Sequence, residues 1–184
     1  MASGHQPGIL VTLNRFAHDR RGVSAIEFAM ILPLMLTLYL GGVEITQAVT
    51  IKRKTTLVTR TIGDLVAQDV NITNAEMQSI FAATTAIAAP YPTNKLKITV
   101  SSVSIDGQGV AKIAWSDAYQ ATPRAVNSTV TLPTGLNLPN TTLIWAEAQF
   151  DYTPPIGYMI TGTRSLKDKL YLRPRLVNTI SRSP

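Results

Sequence analysis

The residue types that perform most enzyme chemistry are scarce in this 184-residue chain. It has no cysteine, and its two histidines, His5 and His18, both precede the long apolar run that begins near residue 23. Without thiols, disulfides and all cysteine-containing zinc sites are excluded. If the segment before the run is removed, no imidazole remains for Ser-His-Asp or Cys-His catalysis. Carboxylates are then the ordinary acid or base groups left to the chain.

The carboxylates form no convincing catalytic or metal-binding pattern. Glu147 and Asp151 lie on the same face of a predicted strand, two strand repeats apart, where they could act as an acid–base pair. A solvated strand face explains both residues better. Asp64, Asp69 and Asp106 lack the spacing of a metal-binding loop. The sequence therefore predicts no enzyme, no metal site and no cofactor.

Composition points to a membrane segment or an assembly surface. The length fits one ordinary domain with some extra chain, and the apolar content of 45% fits a sizeable core. The charged fraction is only 15%, against about 25% in soluble domains. The net charge of +6 forms no basic stripe with interleaved aromatics, so we predict no nucleic-acid partner.

One stretch is long enough to cross a bilayer. Residues 28–43 contain no charge, and the run reaches 21 residues when extended back to Val23, interrupted only by Glu27. About 20 apolar helical residues span a membrane, and this run is apolar all round. The basic flank ending at residues 20–21 should stay in the cytoplasm. The cations of residues 52–54 on the other side of the run weaken the inference of that orientation.

The start of the apolar run has a distinctive order of residues. A polar leader that ends in glycine precedes the run, and a carboxylate lies near its beginning. The leader ends in Arg20-Arg21-Gly22, and Glu27 follows five residues later. A charge at the bilayer centre costs roughly 2.5–3.5 kcal/mol and less near an interface. If the chain is cut after Gly22, Val23 supplies a charged α-amine and Glu27 is the fifth mature residue. The carboxylate of one subunit could then pair with the amine of its neighbour. Alternatively, Glu27 reaches water at the membrane edge.

These residues resemble a known processing site. The segment from Gly22 to Phe28 is similar to the cleavage site of type IV prepilins, with basic residues, glycine, and glutamate at the fifth mature position. The pattern from Arg20 to Ala29 resembles the TadE-like group of tight-adherence (Tad) pilus systems. The C-terminal residues 171–175 are also similar to that family. The resemblance covers roughly the first 70 residues well and the remainder loosely.

The resemblance implies a function and a set of partners. It implies cleavage by a prepilin peptidase at a site comprising Arg20, Arg21, Gly22 and Val23, with Glu27 and Phe28 acting in assembly. It further implies a structural minor pilin, or pseudopilin, with one pass through the bacterial inner membrane and the C-terminal domain outside the cytoplasm. The expected partners are membrane lipid, other TadE/TadF-like minor pilins, the major Flp pilin and the inner-membrane assembly platform.

We expect an α+β, pilin-like fold in four segments. These are a prepilin leader (1–22), a transmembrane helix (23–48), an amphipathic extension (49–70) and an extracytoplasmic domain (71–184). The apolar residues Val58, Ile62, Leu65 and Val66 predict the amphipathic extension. The domain should hold a second helix and an antiparallel sheet of three to four strands.

Local patterns place the elements of that domain. A capping box at Thr73 and Glu76 begins a helix that ends by residue 88 before two prolines. Period-two alternation predicts strands over residues 96–105, 111–115, 144–152 and 166–173, with a bulge near Ser101-Ser102. Residues 117–141 are rich in Pro, Thr, Asn and Ser and predict a long loop free for surface contacts.

Two other functions stay open from the sequence. The sheet domain could be an adhesin that stacks sugars on its aromatic residues, although core packing explains them better; they are Trp115, Tyr119, Trp145 and Tyr152. A secreted enzyme or binding protein cut by signal peptidase near residues 46–48 is the second alternative. The long leader and Glu27 argue against it, since a signal h-region is short and uncharged.

Overall fold

A computed structural model describes residues 21–156 and 162–184. The helices are α1 (Arg21–Ala67) and α2 (Asn74–Ala86), with a 3-10 turn at Thr93–Lys95. The strands are β1 (Asn71–Ile72), β2 (Leu96–Ile105), β3 (Ala111–Tyr119), β4 (Thr141–Tyr152), β5 (Arg164–Leu172) and β6 (Ser181–Arg182). This is the predicted α+β class. The chain divides into two units, residues 1–43 and 44–184, and α1 contributes to both.

The described part of the first unit is the N-terminal part of α1. Every residue from Gly22 to Tyr39 is exposed, including the large apolar side chains. Pro33 lies inside the helix without ending it, as membrane helices tolerate. Among the described residues, α1 is the one helix long and apolar enough to cross a membrane. In water such a surface would be strongly unfavourable, at about 25 cal/mol per Å² of apolar area.

In the second unit, α1 buries the stripe that its sequence predicted. Val58, Ile62 and Val66 are fully buried, and Leu65 lies at the margin of the same core. Two threonines, Thr55 and Thr59, also lie in this buried stripe. The hydroxyl of Thr55 donates to the carbonyl of Ile51 at 2.9 Å, which satisfies the buried polar group within the helix.

A complete capping box starts α2. The side chain of Thr73 accepts the backbone N–H of Glu76 at 3.3 Å, and the carboxylate of Glu76 accepts the backbone N–H of Thr73 at 2.8 Å. The hydrogen bond from the Thr73 backbone, followed by the smaller effect of the Thr73 side chain, lowers the pKa of Glu76. The helix buries Met77, Ile80 and Thr84 against the sheet core. The sequence prediction of this helix is confirmed, with its end two residues earlier than expected.

The four long strands form an antiparallel sheet in the order β3-β2-β4-β5. One face of β2 and β4 packs with both helices in the main core, which includes Leu96, Ile98, Val100, Ala146 and Phe150. Gly63 of α1 marks a very close approach to the sheet. A Cβ at this position would lie 3.2 Å from Ala146 Cβ and 3.0 Å from Leu172 Cδ1.

The predicted bulge lies in a different strand. Pairing of β2 with β3 shifts between Ser102 and Val103, where Ser102 opposes Trp115 and Val103 opposes Ile113, so the extra residue is Ala114 of β3. The pairing of β2 with β4 is regular throughout. The change of apolar phase in β2 therefore has another cause. Its first half is apolar towards the helices, and its second half is apolar towards the opposite face.

That opposite face carries a second, smaller core. It contains the buried residues Val103, Ile105, Ala111, Ile113 and Leu143. The bulge at Ala114 lets neighbouring apolar residues of β3 serve different cores, with Ile113 in the small core and Trp115 in the main one. Sequence alternation alone had placed these two residues on one face.

Part of the loop that was expected to be free covers the small core. Residues 117–119 belong to β3, and the irregular stretch runs from 120 to 140. Within it, Val130, Leu132 and Leu136 pack on the small core, and Val130 N–H donates to the carbonyl of Ala111 at 2.9 Å. The prediction of a loop free for surface contacts needs one correction: these three apolar residues close the core, while most of the stretch is exposed.

The C-terminal residues return to the end of α1. β6 pairs in parallel with β1, Ile180 is fully buried, and the Arg175 N–H donates to the Ala67 carbonyl at 2.9 Å. Arg182 binds the Asp117 carboxylate, with its Nε at 2.9 Å from Oδ2. The sequence did not predict this pairing, because two-residue strands about 110 positions apart leave no local pattern.

Candidate functional site

The predicted cleavage site lies at the start of α1. Arg20 is outside the described residues, and Arg21 is the first residue of the helix. Gly22 and Val23 follow in its first turn, and both are exposed. The bond between residues 22 and 23 therefore lies in an exposed stretch near the described start of α1.

Glu27 is the only charged residue between Gly22 and Val43. Its side chain is exposed on α1, and the neighbouring Phe28 is 61% exposed. Four residues separate Val23 from Glu27, so both lie on the same side of the helix about 6 Å apart along its axis. An α-amine created at Val23 would therefore lie one turn from the carboxylate, on a surface that the other described residues leave uncovered.

The glycines of this segment are not required by the fold of a single chain. A Cβ at Gly22, Gly41 or Gly42 would meet nothing within 4 Å. Glycine inside a helix costs about 0.5–1 kcal/mol relative to alanine. A side chain at these three positions would therefore meet no obstacle among the described residues.

Two cations that follow the apolar run are used inside the domain. Lys52 donates to the Asp168 carboxylate at 2.9 Å and also to the carbonyl of Lys167. Lys54 donates to the carbonyls of Ile87 and Ala89 at 2.9 and 2.8 Å, where it stabilises the C-terminal end of α2. Their presence in the sequence thus has a structural explanation that is independent of membrane orientation.

The two candidate catalytic carboxylates are held in separate ion pairs. Glu147 binds Arg124, and Asp151 accepts from Lys97 at 2.8 Å. Four residues along a strand place them about 13 Å apart, beyond the 5–9.5 Å of glycosidase pairs. Lys97 and the bonds from Gln149 and Ser165 lower the pKa of Asp151 to about 2 against the cost of partial burial. The two carboxylates are therefore too far apart to act together as an acid–base pair.

The aromatic residues proposed for sugar stacking are committed to internal contacts. Trp115 and Tyr152 are 8% and 7% exposed, and Tyr119 packs against Phe81 with ring centroids 6.0 Å apart. Trp145 lies under the Arg124 guanidinium, whose carbon is 3.7 Å from the ring centre. An open stacking platform built from these four side chains is therefore absent.

Tyr171 completes the cluster around Trp145. The two ring centroids are 5.3 Å apart. Burial, together with the nearby Glu147, raises the pKa of Tyr171, while Arg124 acts in the opposite direction. This packed cluster separates the small core from the open part of the same sheet face.

That open part is a polar pocket of about 560 Å³. Its side chains come from alternate positions of three strands and from the loop after β3: Lys97, Thr99, Ala121, Glu147, Gln149, Lys167 and Lys169. The sequence reasoning did not single out these lysines. The spacing of Lys167 and Lys169 on a predicted strand was the available indication, since residues two apart share a face.

Together, the fold and the N-terminal site define a structural class: a protein with one apolar N-terminal helix that continues into an α+β domain. Residues 22–62, roughly a fifth of the chain, match the family model described as "TadE-like protein". This confirms the predicted resemblance and associates the chain with a Tad-pilus family that is structural rather than catalytic. No curated protein and no solved structure matches the chain significantly.

Among the described residues, no group of three or more His, Asp or Glu side chains could hold a metal ion. The match covers the predicted cleavage glycine, Glu27, Phe28 and the beginning of the domain's core helix. It ends before α2 and the sheet. The similarity therefore applies to the N-terminal site, and the sheet domain must be interpreted from its own geometry.

Proposed function

We propose that this chain is a minor pilin, or pseudopilin, of a Tad-type pilus. A prepilin peptidase cuts after Gly22, the mature chain stays in the inner membrane through residues 23–48, and the domain lies outside the cytoplasm. The observation that carries this proposal is the exposed apolar part of α1, residues 22–39, which carries one carboxylate four residues after the predicted new N-terminus and lies within a TadE-like match.

The assembly role follows from what that helix leaves uncovered. Its apolar side chains pack against lipid in the membrane and against neighbouring helices in a pilus, while Glu27 pairs with the α-amine of an adjacent subunit. Two unpaired charges in an apolar bundle are strongly unfavourable. The pair therefore favours the axial register in which both charges are neutralised. Other TadE/TadF-like subunits, the major Flp pilin and the assembly platform are the proposed partners.

The proposed orientation is supported by the domain's own contacts. The cations before the run, Arg20 and Arg21, favour a cytoplasmic N-terminus. Lys52 and Lys54 oppose it by simple charge counting, but both bind groups within the domain. The argument against a cytoplasmic N-terminus is thereby weakened, and among the three cations after the run it then rests on Arg53.

The deciding experiment is the intact mass and N-terminal sequence of the protein from membranes that contain its own prepilin peptidase. We expect a chain that begins Val23-Ser24-Ala25, and the uncut chain when the peptidase is deleted. Gly22→Leu should block the cut, because the enzyme must accommodate a residue without a side chain. A start near Val49 would instead indicate signal-peptidase processing, and an uncut wild-type chain would leave only a membrane anchor.

A further inference from the structure

The open end of the outer sheet face has a surplus of positive charge. Lys97 is neutralised by Asp151, and Arg124 by Glu147. Lys167 and Lys169 are exposed side chains of β5 in the same pocket. Within residues 21–156 and 162–184, neither ammonium group has an ion-pair partner. The pocket therefore presents two cations without an ion-pair contact, and the remaining carboxylate of its lining, Asp168, is already bound to Lys52.

The remaining lining supplies hydrogen-bonding groups at fixed positions. Thr99 supplies a hydroxyl, and the Gln149 side chain is held by donation to the Asp151 carboxylate at 2.7 Å. Ala121 and Ala148 are the apolar residues of the lining, and the aliphatic stems of the lysines add apolar surface between the charged groups. The volume of about 560 Å³ lies within the range of small-molecule sites and far exceeds one inorganic anion.

We propose that this pocket binds an acidic saccharide, with Lys167 and Lys169 pairing its carboxylate or sulfate groups. Thr99 and Gln149 bond its hydroxyl groups. The two lysines are about 6.6 Å apart along one strand face, so they can contact one anionic group together or groups on adjacent sugar units. Lysine contributes a point charge without a required geometry, which suits an acidic polymer better than a single shaped ligand.

The site is built on strands rather than on loops. Its lining residues alternate along β2, β4 and β5, and the register places Lys97 opposite Gln149 and Lys169 opposite Glu147. The Arg124 cluster closes the side towards the small core. A saccharide would thus lie on a rigid platform. This inference goes beyond the proposed pilin role, since it concerns what the domain recognises.

The test uses the full chain in a neutral detergent and a hexasaccharide of alternating glucuronic acid and N-acetylglucosamine as probe. Calorimetry at physiological salt should show binding, and K167Q/K169Q should weaken it about tenfold or more, as expected for lost charge-assisted bonds. The matched control K95Q/K112Q removes the same charge outside the pocket and should bind as the wild type does. Circular dichroism verifies that both variants are folded.

Several outcomes would overturn the proposal. Equal loss in K95Q/K112Q would mean diffuse charge attraction, which salt screens. Equal affinity for a neutral hexamer of N-acetylglucosamine would remove the role of the lysines. Equal affinity for a hexaglutamate peptide would replace the saccharide with an acidic protein segment, and equal affinity for inorganic sulfate would reduce the site to an anion contact. Absence of binding to the acidic hexasaccharide would also overturn it.

Discussion

The indole N–H of Trp115 donates a 2.8 Å hydrogen bond to the carbonyl oxygen of Ile180. Trp115 lies just after the bulge of β3, and Ile180 lies next to β6, so one buried bond joins the sheet to the C-terminal segment. Arg182 reinforces the connection through Asp117 and the carbonyl of Ile72. The C-terminal residues are therefore hydrogen-bonded to both the sheet and β1, which stabilises the domain.

Trp115→Phe should lower the free energy of unfolding of the domain. The change leaves the buried Ile180 carbonyl without its donor, which costs about 1–3 kcal/mol. The measurement is urea unfolding of the full chain in detergent, followed by near-UV circular dichroism. Trp145→Phe is a matched control, because the buried Trp145 N–H has no partner among the described residues. Equal losses in the two variants would contradict a stabilising role for the hydrogen bond.

Gly63→Val should destabilise the domain by about 1–3 kcal/mol, the usual cost of overpacking a close contact. The added side chain must displace Ala146 of the sheet or the Leu172 side chain. The midpoint of thermal unfolding measures the effect. Gly42→Ala is the control within α1, because a Cβ there meets nothing within 4 Å. An unchanged midpoint in Gly63→Val would show that α1 and the sheet are less closely packed than described.

Asp151→Asn should destabilise the domain at neutral pH and have little effect near pH 2. The folded-state pKa of Asp151 is lowered to about 2 from its ordinary 3.8, so its ion pair with Lys97 stabilises the fold above pH 3.8. That contribution is lost as the pH falls through about 2. Since Lys97 is 43% exposed, we expect a difference of the order of 1 kcal/mol. Unfolding curves of both proteins between pH 2 and 7 provide the test, and a pH-independent difference would contradict it.

Glu27→Leu should be processed normally and assembled poorly. The leucine is favourable in a membrane helix, so insertion and cleavage after Gly22 are unaffected. The neighbouring α-amine would then be buried without a counter-ion, which opposes assembly. Intact mass measures the processing, and counts of pili per cell by electron microscopy measure the assembly. Glu27→Gln should also be processed normally and assembled poorly, because it keeps the shape of the side chain and removes its charge. Wild-type piliation with Glu27→Leu would contradict the pairing.

Much of the fold follows from local sequence patterns. The helical stripe of Val58, Ile62 and Val66, the capping box of α2 and the four long strands are all predicted by periodicity or by short motifs. These features depend on residues within about a dozen positions of each other, and their physics is largely local. The N-terminal site belongs to the same category, because its glycine, carboxylate and apolar run are contiguous.

The parts that were missed depend on contacts between distant segments. The phase change in β2 suggested a bulge there, yet the extra residue is Ala114 in the partner strand. Sequence alternation in one strand reports only which face is apolar, and it cannot distinguish a bulge from a switch between two cores. Likewise, the polar composition of residues 120–140 concealed three apolar residues that cover the small core.

The sequence by itself determined a long apolar helix, its carboxylate at the fifth position after Gly22, and the α+β order of elements. Tertiary structure alone decided that Lys52 and Lys54 bind within the domain, that β6 joins β1, and that Lys167 and Lys169 share a pocket with Lys97. The physical reason is that periodicity and capping act over one or two turns of chain. Ion pairing and strand pairing instead depend on groups that only the folded backbone brings within a few ångströms.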